Sequence, residues 1–264
     1  MARFKLILEY EGTRYSGWQI QRNARTIQGE LANAIGTVLG TAEFEVYGSG
    51  RTDAGVHALH QVAHLEAKTV LAPEILKQKV NDELPSDINI LEIEKAPPGF
   101  HARHDAVSRS YLYQISTRRT ALGKRYVWWI KDKLDIDVMK KAAEMFVGMK
   151  NLQSFTADDP EAKSTTVALE KVEIVRHGAL ILIRIVGSHF LWKLVRQIVG
   201  VIAEIGRGRR SLDDLKGYLT TASDVPAKLT APPSGLFLER VSYKGDVALT
   251  APAPVMNLEP GRRQ

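Results

Sequence analysis

The chain has no cysteine among its 264 residues. That excludes disulfides, and it excludes zinc or iron–sulfur centres held by thiolates. Long apolar runs are also missing. The opening MARFKLILEY is too short and too charged for a signal peptide or a membrane span, so a cytoplasmic protein with no membrane partner is expected. No phosphate-cradling loop ending in Gly-Lys-Ser/Thr occurs. The glycine-rich stretch GSGRTDAGVHA (Gly48 to Ala58) is not a dinucleotide fingerprint either: Asp53 stands at the third glycine position and no helix pattern follows.

What is present reads as a soluble globular protein, with 44% hydrophobic and 25% charged residues. The formal charge is +6 and the pI near 9.4, a balance compatible with a nucleic-acid partner and equally with an ordinary basic enzyme.

Hydrophobic periodicity predicts one pattern used twice. FKLILEYEG (Phe4 to Gly12) alternates as a strand. Thr26 to Gly40 carries Ile27, Leu31, Ile35 and Leu39 at helical spacing, with Thr26 as cap and Gly40 beyond the end. Phe44 to Gly50 and Gln61 to Thr69 read as strands, the stretch from Pro73 to Pro85 as a helix, and Ile88 to Ala96 as a strand. After a break near Ala106 the order recurs. Ser108 to Ser116 is a strand, Asp135 to Met149 a helix, and Ala168 to Ser188 two strands turning at His177-Gly178. His189 to Gly208 is a long helix and Gly235 to Tyr243 a last strand. The expectation is an α+β protein of two ferredoxin-like (RRM-like) β-α-β-β-α-β halves, with antiparallel sheets backed by helices and an active-site cleft between the halves. The first spans residues 1–105 and the second 106–243, followed by a loosely ordered tail, 244–264.

Three places could carry chemistry. In GSGRTDAGVHA, dense glycine permits backbone conformations and close approaches that a Cβ forbids. Asp53 is then a solvated turn residue, or a catalytic carboxylate at a cleft whose ionised form Arg51 favours. In RSYLY, residues Arg109, Tyr111 and Tyr113 share one strand face, as cross-strand packing or as a stacking platform for a base. In FLWKLVRQIVG, Arg196 lies in a very apolar helix and requires a partner, a structural acid or Asp53 itself. His57, His60 and His64 match no zinc spacing, and no metal is expected. His101 and His104 flank Arg103, as loop residues or equally as ligands. TRRTALGKRYVWW (Thr117 to Trp129) and GRGRR (Gly206 to Arg210) suit phosphate contacts with stacking, or solvated loops with Trp128 and Trp129 packed inside.

Together these stretches resemble the tRNA pseudouridine synthases of the TruA type, collinearly over nearly the whole chain. YEGTRYSGWQIQ (Tyr10 to Gln21), GSGRTDAGVHA, FHARHDAVSRSYLY (Phe100 to Tyr113), FLWKLVRQIVG and LTAPPSGLFLERVSY (Leu229 to Tyr243) are similar to that family's motifs in order. The resemblance implies isomerisation of uridine to pseudouridine at three consecutive positions on the 3′ side of the tRNA anticodon stem-loop. It implies Asp53 as the essential carboxylate, by attack at C1′ or by proton removal from C2′. Arg51 would displace the target nucleotide and hold its phosphate, Tyr111 would stack on the uracil, Arg196 would pair with Asp53, and backbone near Leu236 would border the base. It implies a homodimer spanned by tRNA, and no cofactor or metal.

Departures from the family pattern are Glu11 for a commoner aspartate, GSHFLWKLVR (Gly187 to Arg196) for a sequence nearer GNGFLYHMVR, Val167 where arginine is frequent, and FVGMKNLQSF (Phe146 to Phe155) without His-Asp. They bear on substrate range and tRNA contacts. A non-catalytic RNA-binding protein with paired RRM-like sheets is the main alternative, and a small-molecule or metal enzyme of ferredoxin-like fold the second.

Overall fold

In the computed structural model, residues 1–156 and 164–256 are described. The chain forms two compact units, Met1–Arg109 with Phe237–Val247, and Ser110–Leu236 with Ala248–Gln264. Among the described residues there are ten strands and six α-helices.

The first unit holds β1 (Ala2–Tyr10), α1 (Ile27–Leu39), β2 (Phe44–Gly48), β3 (His57–Ala67), α2 (Pro73–Glu83) and β4 (Ile88–Lys95). β1 shows why strand alternation is legible: Phe4, Leu6, Leu8 and Tyr10 are buried while the residues between them are partly exposed. It pairs antiparallel with β3 on one side and β4 on the other. β2 runs antiparallel along Ala63–Ala67 of β3. α1 starts where the Thr26 side chain accepts from Gly29 N and stops at Gly40, left-handed at φ 64°. Its buried face is Ile27, Leu31, Ala34 and Ile35. α2 begins with Pro73 and buries Leu76 and Val80. The Asn81 amide then pins its end to β4 by accepting from Ile90 N (2.8 Å) and donating to Ile90 O (2.9 Å).

The second unit contains most of β5 (Ala106–Ser116), then β6 (Trp128–Trp129), α3 (Ile136–Glu144), β7 (Gly148–Asn151), β8 (Thr166–His177), β9 (Leu180–Gly187), α4 (Leu194–Gly206), α5 (Leu212–Thr220) and α6 (Val225–Lys228). Its strands follow the order β5-β9-β8-β7, with β6 added parallel to Ile115–Ser116. The β8–β9 turn is at Gly178, φ 56°. α3 is shorter than its sequence pattern because Gly148, at φ 98°, starts β7 inside that stretch. α4 starts five residues later than expected, because Lys193 sits in the left-handed region at φ 60° and breaks the helix there. α5 carries a capping box, with the Ser211 and Asp214 side chains each bonding the other's backbone N–H.

The last strand, β10 (Leu236–Tyr243), groups from Phe237 onward with the first unit and pairs in parallel with β3 through Phe237–His57 and Leu238–Ala58. Beyond it, Arg184 donates to Thr250 O, and Val255 N donates to Gln114 Oε1 at 2.8 Å. Met256 packs on Leu112, Val127, Leu180 and Leu182. The rest of the stretch expected as a loose tail, residues 257–264, lies outside the described residues.

Close packing at Gly200 ties α4 to the segment before β10. A Cβ there would fall 1.7 Å from Leu229 O, whereas one at Gly217 of α5 meets nothing within 4 Å. Gly200→Ala is expected to cost about 1–3 kcal/mol, and Gly217→Ala to gain about 0.5–1 kcal/mol from helix propensity. Urea unfolding midpoints check both. Equal midpoints for the two variants would contradict this packing.

Candidate active site

The segment Ser49–Val56 has no ladder of its own; its regular structure resumes only at His57. Neighbouring groups supply what it lacks. Ser49 N donates to Val62 O at 2.7 Å, and Ser49 Oγ donates to Gln61 Oε1 at 2.7 Å. Gln61 Nε2 donates to Gly50 O at 3.0 Å and reaches the Tyr10 hydroxyl at 3.4 Å. That hydroxyl lies 2.8 Å from Thr52 Oγ1. Trp18 N donates to Thr52 O at 3.1 Å, Gly55 N to Tyr15 O at 3.3 Å, and Val56 N back to Asp53 O at 3.2 Å. Arg109 Nη2 donates to Ser49 O at 3.1 Å and to Arg103 O at 2.7 Å. Thr52 is buried, Asp53 half-buried and Arg51 exposed, with Arg51 Nε donating to Gln19 Oε1 at 3.3 Å. The loop therefore presents a carboxylate and a guanidinium from a backbone fastened at almost every residue.

The glycines have separate causes. A Cβ on Gly48 would stand 2.5 Å from the Trp18 indole, so the bulky group that approaches there is the chain's own. Gly55 turns at φ 78°, which favours glycine. A Cβ on Gly50 would meet nothing within 4 Å. Tyr10 to Gln21 thus serves as the loop's backing. It is itself tied to the start of α1, where Ile27 N donates to Gly17 O (3.1 Å) and Gln28 N to Trp18 O (3.0 Å). Tyr15 donates to Asp87, and Arg14 Nη2 holds the same carboxylate at 2.6 Å. Burial and the Asp87 contact push the Tyr15 hydroxyl well above its usual range.

The other expected site residues lie in the second unit. Tyr111, on β5, is 9% exposed and packs edge to face on Phe190, with centroids 4.8 Å apart. Arg196, in the first turn of α4, donates from Nε to Ala231 O at 2.8 Å, while Ala231 N donates to Arg196 O at 3.0 Å. Tyr113 donates to the adjacent Pro232 O at 2.8 Å. A Cβ on Gly235 would collide with the Tyr113 ring at 2.7 Å, and Leu236 follows, buried, at the start of β10. Arg109, expected beside Tyr111 and Tyr113, instead bonds to the backbone of the Asp53 loop. The alternation rule placed it on a face but carried no signal of that partner. Gln61 and Tyr10 carry no such signal in the sequence, because a buried polar residue within a strand pattern shows its role only through its partners.

The histidines do not gather as a metal centre. Among the described residues no group of three or more His, Asp or Glu is placed to hold a metal ion. His57 Nδ1 accepts from Gly12 N at 3.0 Å, and its ring stacks on Phe237 at 4.8 Å. His64 is 2% exposed, accepts from Ala102 N at 3.2 Å, and neighbours the rings of Tyr47 and His101. Burial first, then the charges of His101 and Arg3, push the His64 imidazole down to about 4. Among the described residues no helix is long and apolar enough to cross a membrane.

Fold and loop together define an α+β protein that offers an aspartate and an arginine from a fixed turn beside β3. The profile of a family described as tRNA pseudouridine synthase matches residues 6–105 and 142–244. A Rhodopseudomonas palustris protein named tRNA pseudouridine synthase A is 41% identical over 247 residues, covering 92% of this chain and 100% of its own length. Proteins of the same name from Geotalea uraniireducens (40% over 245 residues, 92% of this chain and 100% of the relative) and Nitrobacter winogradskyi (37% over 252 residues, 94% and 98%) align as extensively. The chain belongs to the tRNA pseudouridine synthase family.

Two outcomes follow from the geometry. Tyr10→Phe removes the hydroxyl shared by Thr52 and Gln61 and is expected to cost about 1–2 kcal/mol in urea unfolding; an unchanged midpoint would mean that water replaces it freely. His64 has a folded pKa below the ordinary value of about 6.5. Its contribution to stability is thus complete above pH ~6.5 and is lost as pH falls toward the folded value of about 4. An NMR titration should show its ring still neutral at pH 5, and His64→Gln should flatten the acid limb of stability. A ring titrating near 6.5 would refute the shift.

Proposed function

We propose that the chain isomerises uridine to pseudouridine in tRNA, on the 3′ side of the anticodon stem-loop, with Asp53 as the catalytic carboxylate. The observation that carries the reading is the clamped Ser49–Val56 loop, which holds Asp53 and Arg51 in a chain belonging to this family.

The reaction breaks the N1–C1′ bond, turns the freed uracil, and joins its C5 to C1′. The C5 hydrogen leaves as a proton and N1 gains one, so atoms and electrons balance without an oxidant, a metal or a second substrate. A carboxylate suits positive charge developing at an anomeric carbon, and Asp53 meets it by attack at C1′ or by taking the C2′ proton. Unlike glycoside hydrolysis, no second carboxylate is needed to activate water, since water is not the acceptor. The target nucleotide must first leave its stack, at a cost of a few kcal/mol. Arg51, exposed beside Asp53, is suited to displace it and hold its phosphate. The family resemblance assigns Tyr111 to the uracil face, Arg196 to the charge of Asp53, and backbone at Leu236 to the edge of the base. The working protein is a cytoplasmic homodimer, each copy bringing one Asp53 loop to bound tRNA.

Wild-type and Asp53→Asn protein acting on unmodified tRNA transcript test this, with pseudouridine read by carbodiimide labelling and primer extension. Stops on the 3′ side of the anticodon stem-loop are expected with wild type alone, and a loss of at least about a thousandfold in rate with Asp53→Asn. Binding of tRNA without stops in either sample would favour a non-catalytic RNA-binding protein.

A further inference from the structure

Two basic stretches far apart in sequence flank one short segment of the second unit. That segment is Trp128–Lys133. Arg119 lies over the Trp129 ring at 6.0 Å, and Arg207 lies over Trp128 at 5.4 Å. Asp132 ties the far side, 3.0 Å from Arg207 Nε and 3.3 Å from Arg209 Nη2. The segment 117–127 and the end of α4 with the residues after it (204–210) are thereby fastened to six residues that span at most about 20 Å.

Charge is concentrated there. Residues 117–133 and 204–210 contain nine Lys or Arg against Asp132 and Glu204, a local excess of seven, whereas the whole chain has an excess of six. The remainder of the protein is therefore net negative by one. Both acids are already engaged by arginine, Asp132 as above and Glu204 by Arg207. Arg118, Arg119, Lys131 and Arg210 are exposed, and Trp129 is 43% exposed. A guanidinium against an exposed indole, within a field of one sign, matches what binds a charged backbone carrying flat bases. An acidic protein partner would satisfy the cations but gives no reason to leave an indole in water beside them.

We propose that this surface binds the tRNA backbone, with Trp129 as a rest for an unpaired base. It forms an anchoring site carried wholly by the second unit. The proposal rests on the tRNA reading above and assigns the surface to affinity, not to chemistry. A duplex carries about one charge per 1.7 Å of axis, so ~20 Å of surface can meet several phosphates at once.

The test is full-length tRNA binding and pseudouridine formation by the variant Arg119→Gln/Lys131→Gln/Arg210→Gln, and by Trp129→Leu. The triple variant should raise Kd about tenfold or more near physiological salt. It should lower the slope of log affinity against log salt by about 2–3, while kcat at saturating tRNA is unchanged. Trp129→Leu should raise Kd without changing the slope. Unchanged Kd and slope in a triple variant that keeps the wild-type urea midpoint would overturn the proposal, and an acidic protein partner would then fit the patch better. A parallel fall in kcat would overturn it as well, since the surface would then belong to the reacting site. If wild type makes no pseudouridine but the affinity and slope shift as stated, the RNA surface stands and the isomerase reading fails.

Discussion

The hydrogen bonding of Thr52 is the constraint on which the site depends. Its hydroxyl meets Tyr10 and its carbonyl receives the Trp18 amide. A carboxylate on an irregular loop has no ladder to hold it, and a mobile one would lose in orientation what it supplied in charge. Here the ladder is replaced by groups from the end of β1, the segment after it, and Gln61 inside β3. Because β1 and β3 are neighbouring core strands, the position of Asp53 is fixed by the most deeply packed part of its unit. Arg51 stands exposed on this confined loop, as suits the nucleotide contact proposed for it.

The second unit shows the same economy. Arg196 and Tyr113 take the adjacent carbonyls of Ala231 and Pro232, and Gly200 lets Leu229 approach α4. The run from Leu229 to Leu236 is thus shaped by α4 on one side and by β5 on the other. That run is a fitted part of the unit, and its Ala231 carbonyl is one partner for the arginine in an otherwise apolar helix.

Much of this architecture is legible in the sequence itself. The alternation of Phe4, Leu6, Leu8 and Tyr10, the caps Thr26 and Gly40, and Pro73 at a helix start each act through local physics, and those elements lie where periodicity puts them. The helix start at Leu194 is not legible, because it depends on the left-handed backbone of Lys193 within an apolar pattern that continues through it. The parallel pairing of β10 with β3 escapes for another reason, since strand periodicity states that a strand exists but not which edge receives it. At the site, Asp53 and Arg51 stand out by residue type in a glycine-rich stretch. Arg109, Gln61 and Tyr10 do not, because their contribution to the loop lies in partners 11 to 60 positions away in sequence.

The central claim is that this loop is already fixed in the free protein, before RNA arrives. Native-state hydrogen exchange at the Trp18, Ser49 and Val56 amides, with and without tRNA, addresses it most directly. These amides donate to Thr52, Val62 and Asp53 and should be strongly protected in the free protein, with little change when tRNA is added. Fast exchange in the free protein that slows only with tRNA would contradict the account, and the loop would then be ordered by its substrate.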